Sequence, residues 1–179
     1  HSTLGFILFQ GRLDARAARE PFEHSATLGA GESTVMARYA QFCARTGRDA
    51  EATAAMRRAV ALDPLNPLIH RADGLNHYAA RRYEASIAPL RKGLEMNPRM
   101  SRAHAEIGDA LLNLGRIDEA RAEYALEPAA DFRLTGLALS AQRAGDLSAA
   151  RATLAELVAT AGDRVLYQQA QVLAQLGGI

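Results

Sequence analysis

The sequence predicts an all-α protein made of antiparallel helix hairpins repeated along the chain. Asp63-Pro64 and Asn97-Pro98 each close an apolar helical pattern, and they lie 34 residues apart. A repeat of that length is typical of a pair of helices joined by short turns. Gly47 and Gly115 share one column of this period, where a turn between the two helices is expected. Because one hairpin leaves an apolar face bare, such repeats are stable only when they stack.

Small and bulky residues occupy separate columns of the period. Small residues in the first helix allow close approach of the backbones, and bulky residues in the second helix fill the remaining space. The small column holds Ala40, Gly74 and Gly108, and the bulky column holds Met56, Leu90 and Tyr124.

The period divides a single predicted domain, residues 1–179, into one partial repeat, four repeats and one half repeat. Their predicted limits are 1–32, 33–66, 67–100, 101–130, 131–162 and 163–179. Pro128 falls where a second helix would still be running, so that helix is expected to be about one turn shorter. Leu4–Gln10 is interpreted as the tail of a first helix and Ala15–Leu28 as a second helix. The last helix is expected to begin near Asp163.

These columns resemble the tetratricopeptide repeat (TPR) family, whose motif has small residues at positions 8, 20 and 27, glycine near 15, a bulky residue at 24 and proline at 32. The segment 115–120, Gly-Arg-Ile-Asp-Glu-Ala, carries the most specific part of the likeness. Arg81 departs from the motif at the loop glycine, and Asp73 stands where leucine is usual. The resemblance implies a right-handed α-α superhelix, a TPR solenoid, that binds proteins or peptides without catalysis.

The segment 131–138 is also similar to bacterial TPR segments appended to signalling or transcription-regulating proteins. That likeness implies a regulatory module within a larger protein. Since the sequence opens at His1, we expect it to be cut from a longer chain.

Charge and cysteine content restrict the partners. Lys and Arg total 21 against 20 acidic residues, a formal net charge of +1 that gives no global attraction for nucleic acid or an anionic membrane. This favours TPR over the pentatricopeptide family, whose members read RNA. No segment has the ~20 apolar residues of a membrane span. The one cysteine, Cys43, allows no internal disulfide and is interpreted as a buried apolar residue, so we expect a cytoplasmic protein.

In a TPR solenoid, positions 2, 5, 6, 9, 12 and 13 of the first helices face the concave groove. Arginine pairs with carboxylates and tyrosine offers a flat apolar contact, so the expected partner is an acidic peptide or a helix of another protein. The candidate groove residues are Arg38, Gln41, Arg45, Arg71, Leu75, Tyr78, Arg102, Glu106, Asp109 and Asn113.

Other chemistry has little support in the sequence. His70, Asp73 and His77 share one helical face, and His104 lies one repeat after His70, so a metal site is one interpretation. The favoured interpretation is that these imidazoles pack with one hydrogen bond each, and no metal, cofactor or catalytic residue is expected. A rival function is self-association, a homodimer formed through the half repeat 163–179.

Overall fold

The computed structural model describes residues 2–177, and every regular element in this range is a helix. The first helix, α1, Ser2–Phe6, continues as a π-helical turn, Ile7–Gly11. The α-helices that follow are α2 Ala15–Leu28, α3 Ser33–Arg45, α4 Asp49–Leu62, α5 Pro67–Ala79, α6 Tyr83–Met96, α7 Ala103–Asn113, α8 Ile117–Leu126, α9 Ala130–Arg143, α10 Leu147–Ala161 and α11 Leu166–Gln175. The all-α prediction is therefore confirmed.

The chain divides after Asn97 into two compact units. Unit 1 contains α1–α6, in which α3 packs on α4, α5 on α6, and α3 on α5. Unit 2 contains α7–α11, in which α7 packs on α8, α9 on α10, and α9 on α7, α8 and α11. Each unit therefore consists of consecutive helix hairpins whose first helices also contact one another.

Aromatic rings hold α2 against α3 at the start of unit 1. The ring centroids of Phe22 and Phe42 are 4.7 Å apart in a stacked arrangement, and the Phe9 ring meets Phe42 edge-on at 5.2 Å. Gly5 lies so close to Phe22 that a Cβ placed there would be 2.9 Å from the ring. The residues 2–28 thereby extend the apolar core of unit 1 beyond the first complete hairpin.

The small and bulky columns pack against each other as the sequence predicts. A Cβ on Gly74 would lie 2.5 Å from Cγ of Leu90, and a Cβ on Gly108 would lie 2.6 Å from the ring of Tyr124. Leu90 and Tyr124 are fully buried. Glycine in the first helix thus lets the second helix of the same hairpin approach closely enough to bury a large side chain.

Tyr124 is the largest fully buried side chain of unit 2 and is enclosed on both sides. In addition to Gly108 on α7, Gly136 on α9 faces its ring, where a Cβ would come within 2.0 Å of Cδ1. The hydroxyl donates a 2.7 Å hydrogen bond to Oδ1 of Asp109. One tyrosine thereby joins three helices of the unit.

The shortened repeat ends in a buried carboxylate. Helix α8 has 10 residues whereas α6 has 14, which confirms the shorter helix predicted from Pro128. Directly after α8, Glu127 is only 1% exposed. Its Oε1 accepts hydrogen bonds from the amides of Arg102 (2.9 Å) and Ala129 (3.0 Å), and its Oε2 accepts one from Ala105 (3.2 Å). The carboxylate therefore caps the N-terminal ends of α7 and α9.

The turns inside the hairpins adopt a left-handed backbone. Gly47, Gly115 and Gly145 have φ values of +76°, +77° and +83°. Arg81 occupies the same column of the second complete repeat with φ +57°, a conformation that costs energy in any residue with a Cβ.

One detail differs from the sequence expectations. Gly162–Val165 forms a 3-10 turn, so the last α-helix begins at Leu166 rather than near Asp163. Pro89 lies inside α6, which runs as one helix from Tyr83 to Met96.

Candidate functional site

The predicted groove residues of unit 1 form two stripes on neighbouring first helices. Arg38, Gln41 and Arg45 lie three and four residues apart on α3, so they share one side of that helix. Both arginines are exposed and Gln41 is half-buried. Since α3 packs on α5, this stripe runs beside a second helix that carries its own predicted groove residues.

The stripe on α5 is mainly apolar. Arg71, Leu75 and Tyr78 lie four and three residues apart, and all three are partly exposed. The Tyr78 ring meets Tyr83, the first residue of α6, edge-on with centroids 5.2 Å apart. This contact already restricts the Tyr78 ring in the free protein. Less side-chain conformational entropy is therefore lost when a partner packs on the ring.

In unit 2 the predicted residues Arg102, Glu106, Asp109 and Asn113 follow one face of α7, but they are engaged with the protein itself. Glu106 is only 9% exposed, which the groove prediction did not anticipate. The Arg102 guanidinium lies 4.6 Å from the centroid of the Phe132 ring. Asn113 donates a 2.8 Å hydrogen bond to the carbonyl of Asp109. This face therefore presents less free surface than the stripes of unit 1.

Burial changes the acidity of Asp109. Desolvation raises the pKa of its carboxyl to about 6, the hydrogen bond from Tyr124 lowers that pKa, and the nearby Glu106 raises it further. A carboxyl with this pKa changes charge just below neutral pH.

The histidines are half-buried and each has a hydrogen-bond partner, as the favoured interpretation expects. His70 Nε2 lies 2.7 Å from the carbonyl of Pro64, and His104 Nδ1 lies 2.8 Å from Glu123. His77 Nδ1 accepts a 3.2 Å hydrogen bond from Nε of Arg82. Within residues 2–177, no group of three His, Cys, Asp or Glu side chains is placed to hold a metal ion.

Cys43 is fully buried, as predicted. Burial raises the pKa of its thiol, so little thiolate forms at neutral pH. In the part of the chain that the structure describes, no helix has both the length and the apolar character needed to cross a membrane.

Residues 72–132, which include α6–α8, match the tetratricopeptide repeat family model. That segment of the chain carries tetratricopeptide repeats. The hairpins and the pairing of small with bulky residues described above are the packing that the TPR motif implies.

Solved TPR structures have the same fold as this chain. Protein TTC0263 of Thermus thermophilus, a thermophilic TPR protein, matches with a TM-score of 0.78 at 21% identity, covering 97% of this chain and 96% of that one. YrrB, described as a TPR protein with an unusual peptide-binding site, matches with a TM-score of 0.62 at 14% identity, covering 93% and 87%. MamA matches with a TM-score of 0.62 at 13% identity, covering 97% and 94%. At these identities the likeness concerns the fold alone. No curated protein matches the sequence.

A cleft in unit 1 was missed by the sequence prediction. It lies between α4 and α5, has a volume of about 320 Å³, and has walls that include Met56, Arg57, Val60, Asp73, Asn76 and His77. We call it the Asn76 cleft. Asn76 is 5% exposed, and neither its Oδ1 nor its Nδ2 has a hydrogen-bond partner within residues 2–177.

The sequence did contain a signal for Asn76. At the 34-residue period its column holds Phe42 and Ala110, both buried and apolar. An amide in a buried apolar column is costly unless something bonds to it. Reading the columns for misplaced polar residues, instead of only for groove positions, would have identified it.

Proposed function

We propose that this chain is a non-catalytic scaffold that binds an extended acidic peptide, or a helix of a partner protein, along the α3 and α5 stripes of unit 1. TPR proteins in general serve as interaction scaffolds, and this proposal applies that general role to particular residues. Arg38, Arg45, Leu75 and Tyr78 are the residues assigned to it.

One observation carries the proposal. The exposed guanidinium groups of Arg38 and Arg45 lie on α3, and partly exposed Leu75 and Tyr78 lie on the adjacent α5. Exposed arginines beside a positioned aromatic ring suit a peptide that has carboxylates together with an apolar side chain. The corresponding residues of unit 2 give the scaffold proposal less support, since Glu106 is buried and Arg102 lies against the Phe132 ring.

The test is selection of peptides from a displayed library, followed by affinity measurements on charge-reversal variants. We expect acidic peptides to be enriched, and Arg38→Glu/Arg45→Glu to weaken them at least tenfold. The matched control Arg12→Glu/Arg16→Glu reverses two exposed arginines outside the stripes and carries the same charge change. Enrichment of basic peptides, or equal weakening by both double variants, would contradict the proposal.

A second candidate function is self-association through α11. Leu166 and Leu173 are exposed two turns apart on this helix, and Tyr167 is 79% exposed. We propose that a second copy covers this surface. Light scattering over a range of concentrations is expected to show a dimer that Leu166→Ser/Tyr167→Ser removes, whereas a monomer at every concentration would argue against this function.

We also assign the scaffold to the cytoplasm. The support is chemical: Cys43 is a free thiol, and no disulfide is needed to hold either unit together. Microscopy of the tagged protein in its own cell would test the assignment.

A further inference from the structure

Two of the turns inside the hairpins of unit 1 hold side chains in a backbone conformation that suits glycine. At the 34-residue period, Leu13, Gly47 and Arg81 occupy one column, with φ values of +54°, +76° and +57°. Glycine adopts this left-handed conformation freely, whereas leucine and arginine adopt it at an energetic cost. The turns are equivalent, because the amide that follows each of these residues donates a 2.9 Å hydrogen bond back to the helical segment before it.

Neither of the two strained side chains packs in the core. Leu13 is 85% exposed, and Arg81 is also exposed. A Cβ on Gly47 would meet no heavy atom within 4 Å, so side chains in this column project into open space. Glycine would therefore serve the fold better at positions 13 and 81. A side chain that costs stability and packs on nothing in its own unit indicates a role in binding something else.

The three turns lie at one edge of unit 1. Helices α1 and α5 both pack on α3. The Phe9 ring contacts Phe42, and these residues lie four and five positions before the turn column, so the two segments run in the same direction. Ala37 and Ala72 join α3 to α5 with the same alignment. We call this set of turns the turn edge, residues 12–14, 46–48 and 80–82.

The net charge of unit 1 is concentrated at the turn edge. Residues 1–97 hold 13 Arg and Lys against 10 Asp and Glu. The turns and the five residues on either side of each, 7–19, 41–53 and 75–87, hold seven Arg against four Asp and Glu. The whole excess of three positive charges in unit 1 therefore lies there. The formal net charge of +1 for the complete sequence does not describe this edge, which attracts an anionic surface.

The first turn combines an apolar tip with arginines. Arg12 directly precedes Leu13, and Arg16 follows in the first turn of α2, and all three side chains are exposed. The carboxylate of Asp14 is engaged with the protein, since it accepts a 2.8 Å hydrogen bond from the amide of Ala17. A leucine between arginines can enter the headgroup layer of a bilayer while the guanidinium groups stay beside the lipid phosphates.

The shape of the turn edge favours a bilayer over a folded partner. Leu13 and Arg81 project from two separate turns, whereas folded partners bind most strongly through side chains that fill a pocket. Anionic headgroups supply negative charge over a continuous surface and require no matching shape.

We propose that the turn edge binds the surface of an anionic lipid bilayer. Leu13 inserts among the headgroups, and Arg12, Arg16 and Arg81 pair with lipid phosphates. This contact is peripheral, and it goes beyond the scaffold function proposed for the α3 and α5 stripes.

The test is sedimentation of the protein with vesicles of phosphatidylcholine that contain about one-third phosphatidylglycerol, compared with vesicles of phosphatidylcholine alone. We expect at least about fivefold tighter binding to the anionic vesicles, and weaker binding as the salt concentration rises.

Glycine variants separate a binding role from a structural one. Leu13→Gly should weaken binding to the anionic vesicles at least about threefold, and Arg81→Gly about fivefold. Neither should lower the melting temperature, because glycine fits the left-handed turn. The matched controls are Leu65→Gly, which removes a leucine that is 80% exposed between α4 and α5, and Arg151→Gln, which removes an exposed arginine of unit 2. Both controls should leave vesicle binding unchanged.

Insertion of Leu13 has a direct optical test. The sequence contains no tryptophan, so Leu13→Trp introduces a single fluorescent reporter. Its emission should shift to the blue when anionic vesicles are added. The emission of Leu65→Trp, a reporter outside the turn edge, should not shift.

The lipid contact and the peptide groove can fail independently. Arg12→Gln/Arg16→Gln is expected to weaken vesicle binding at least about fivefold and to leave the affinity for acidic peptides unchanged. Loss of peptide binding in the groove variants would not alter the result for Leu13→Gly.

Several results would overturn the lipid proposal. These are equal binding to the two kinds of vesicle, equal losses in Leu13→Gly and Leu65→Gly, or an unshifted emission of Leu13→Trp. Binding to soluble polyglutamate that is as tight as vesicle binding and insensitive to Leu13→Gly would identify an acidic protein as the partner, and would also overturn it.

Discussion

The hydroxyl of Tyr124 donates a 2.7 Å hydrogen bond to Oδ1 of Asp109, which places a titratable carboxyl against the most buried ring of unit 2. Burial raises the pKa of that carboxyl to about 6. In the unfolded chain an aspartate has a pKa of about 3.9. Between these two values the folded state binds more protons than the unfolded state, so this group makes the protein less stable as the pH rises through that window.

Asp109→Asn is therefore expected to stabilise unit 2 at pH 7.5, because asparagine carries no charge and its Oδ1 still accepts from Tyr124. A pKa raised by about two units corresponds to a gain on the order of 3 kcal/mol at neutral pH. Near pH 4 the aspartate of the wild type is protonated and the gain should almost vanish. Urea unfolding at the two pH values measures it, and an equal gain at both would contradict the assigned pKa.

Gly136→Ala is expected to destabilise unit 2 strongly. The new Cβ would lie 2.0 Å from Cδ1 of Tyr124, whose ring also faces Gly108 and has no free space in which to move. Overpacking of this severity costs about 3 kcal/mol or more. Urea unfolding followed by circular dichroism measures the loss.

The matched control for that substitution is Gly31→Ala. No heavy atom lies within 4 Å of a Cβ at Gly31, so its stability should change by less than about 1 kcal/mol. If the two alanine variants lost similar amounts of stability, close packing around Tyr124 would not be the cause.

Arg81→Gly is expected to stabilise unit 1. The arginine holds a left-handed backbone at φ +57° in the turn where the other complete hairpins have glycine, and its side chain is exposed. Glycine removes the clash of the Cβ, with an expected gain of about 0.5–1 kcal/mol. Thermal unfolding measures the gain.

The reverse substitution, Gly47→Arg, gives the comparison in the same unit. Gly47 has φ +76° and open space around its Cα, so only the backbone penalty should act, and we expect a loss of similar size. A gain in stability from Gly47→Arg, or no effect of either substitution, would contradict the expected energy penalty of a side chain in this left-handed turn.

Much of the fold could be predicted because it depends on residues that recur at a fixed spacing. The pairing of Gly74 with Leu90 and of Gly108 with Tyr124 follows from their columns, and the predicted second helix Ala15–Leu28 has the observed bounds. The repeat limits themselves remain predictions. Leu4–Gln10, interpreted as the tail of a first helix, is helical, but the sequence did not indicate that Ile7–Gly11 forms a π-helical turn.

The candidate site was less predictable because the repeat motif fixes helix positions and not the contacts of each side chain. Position alone assigned Glu106 to the groove, whereas its side chain is only 9% exposed. Conversely, the periodic analysis did not single out Asn76. Its unpaired amide became evident only when its surroundings were known.

Glu127 shows how a contact between distant residues escapes a periodic analysis. Its carboxylate accepts hydrogen bonds from the amides of Arg102 and Ala105, 25 and 22 residues earlier, and from that of Ala129.

Glu127→Ala would leave those amides without an acceptor. We therefore expect the free energy of unfolding to fall by about 3 kcal/mol or more, and hydrogen exchange at the start of α7 to become faster. Glu127→Gln keeps one acceptor oxygen and should lose less. Glu156→Ala, an exposed change on α10 of the same unit, should alter stability by less than about 0.5 kcal/mol. Unchanged exchange at Ala105 in Glu127→Ala would mean that the carboxylate does not cap α7 in solution.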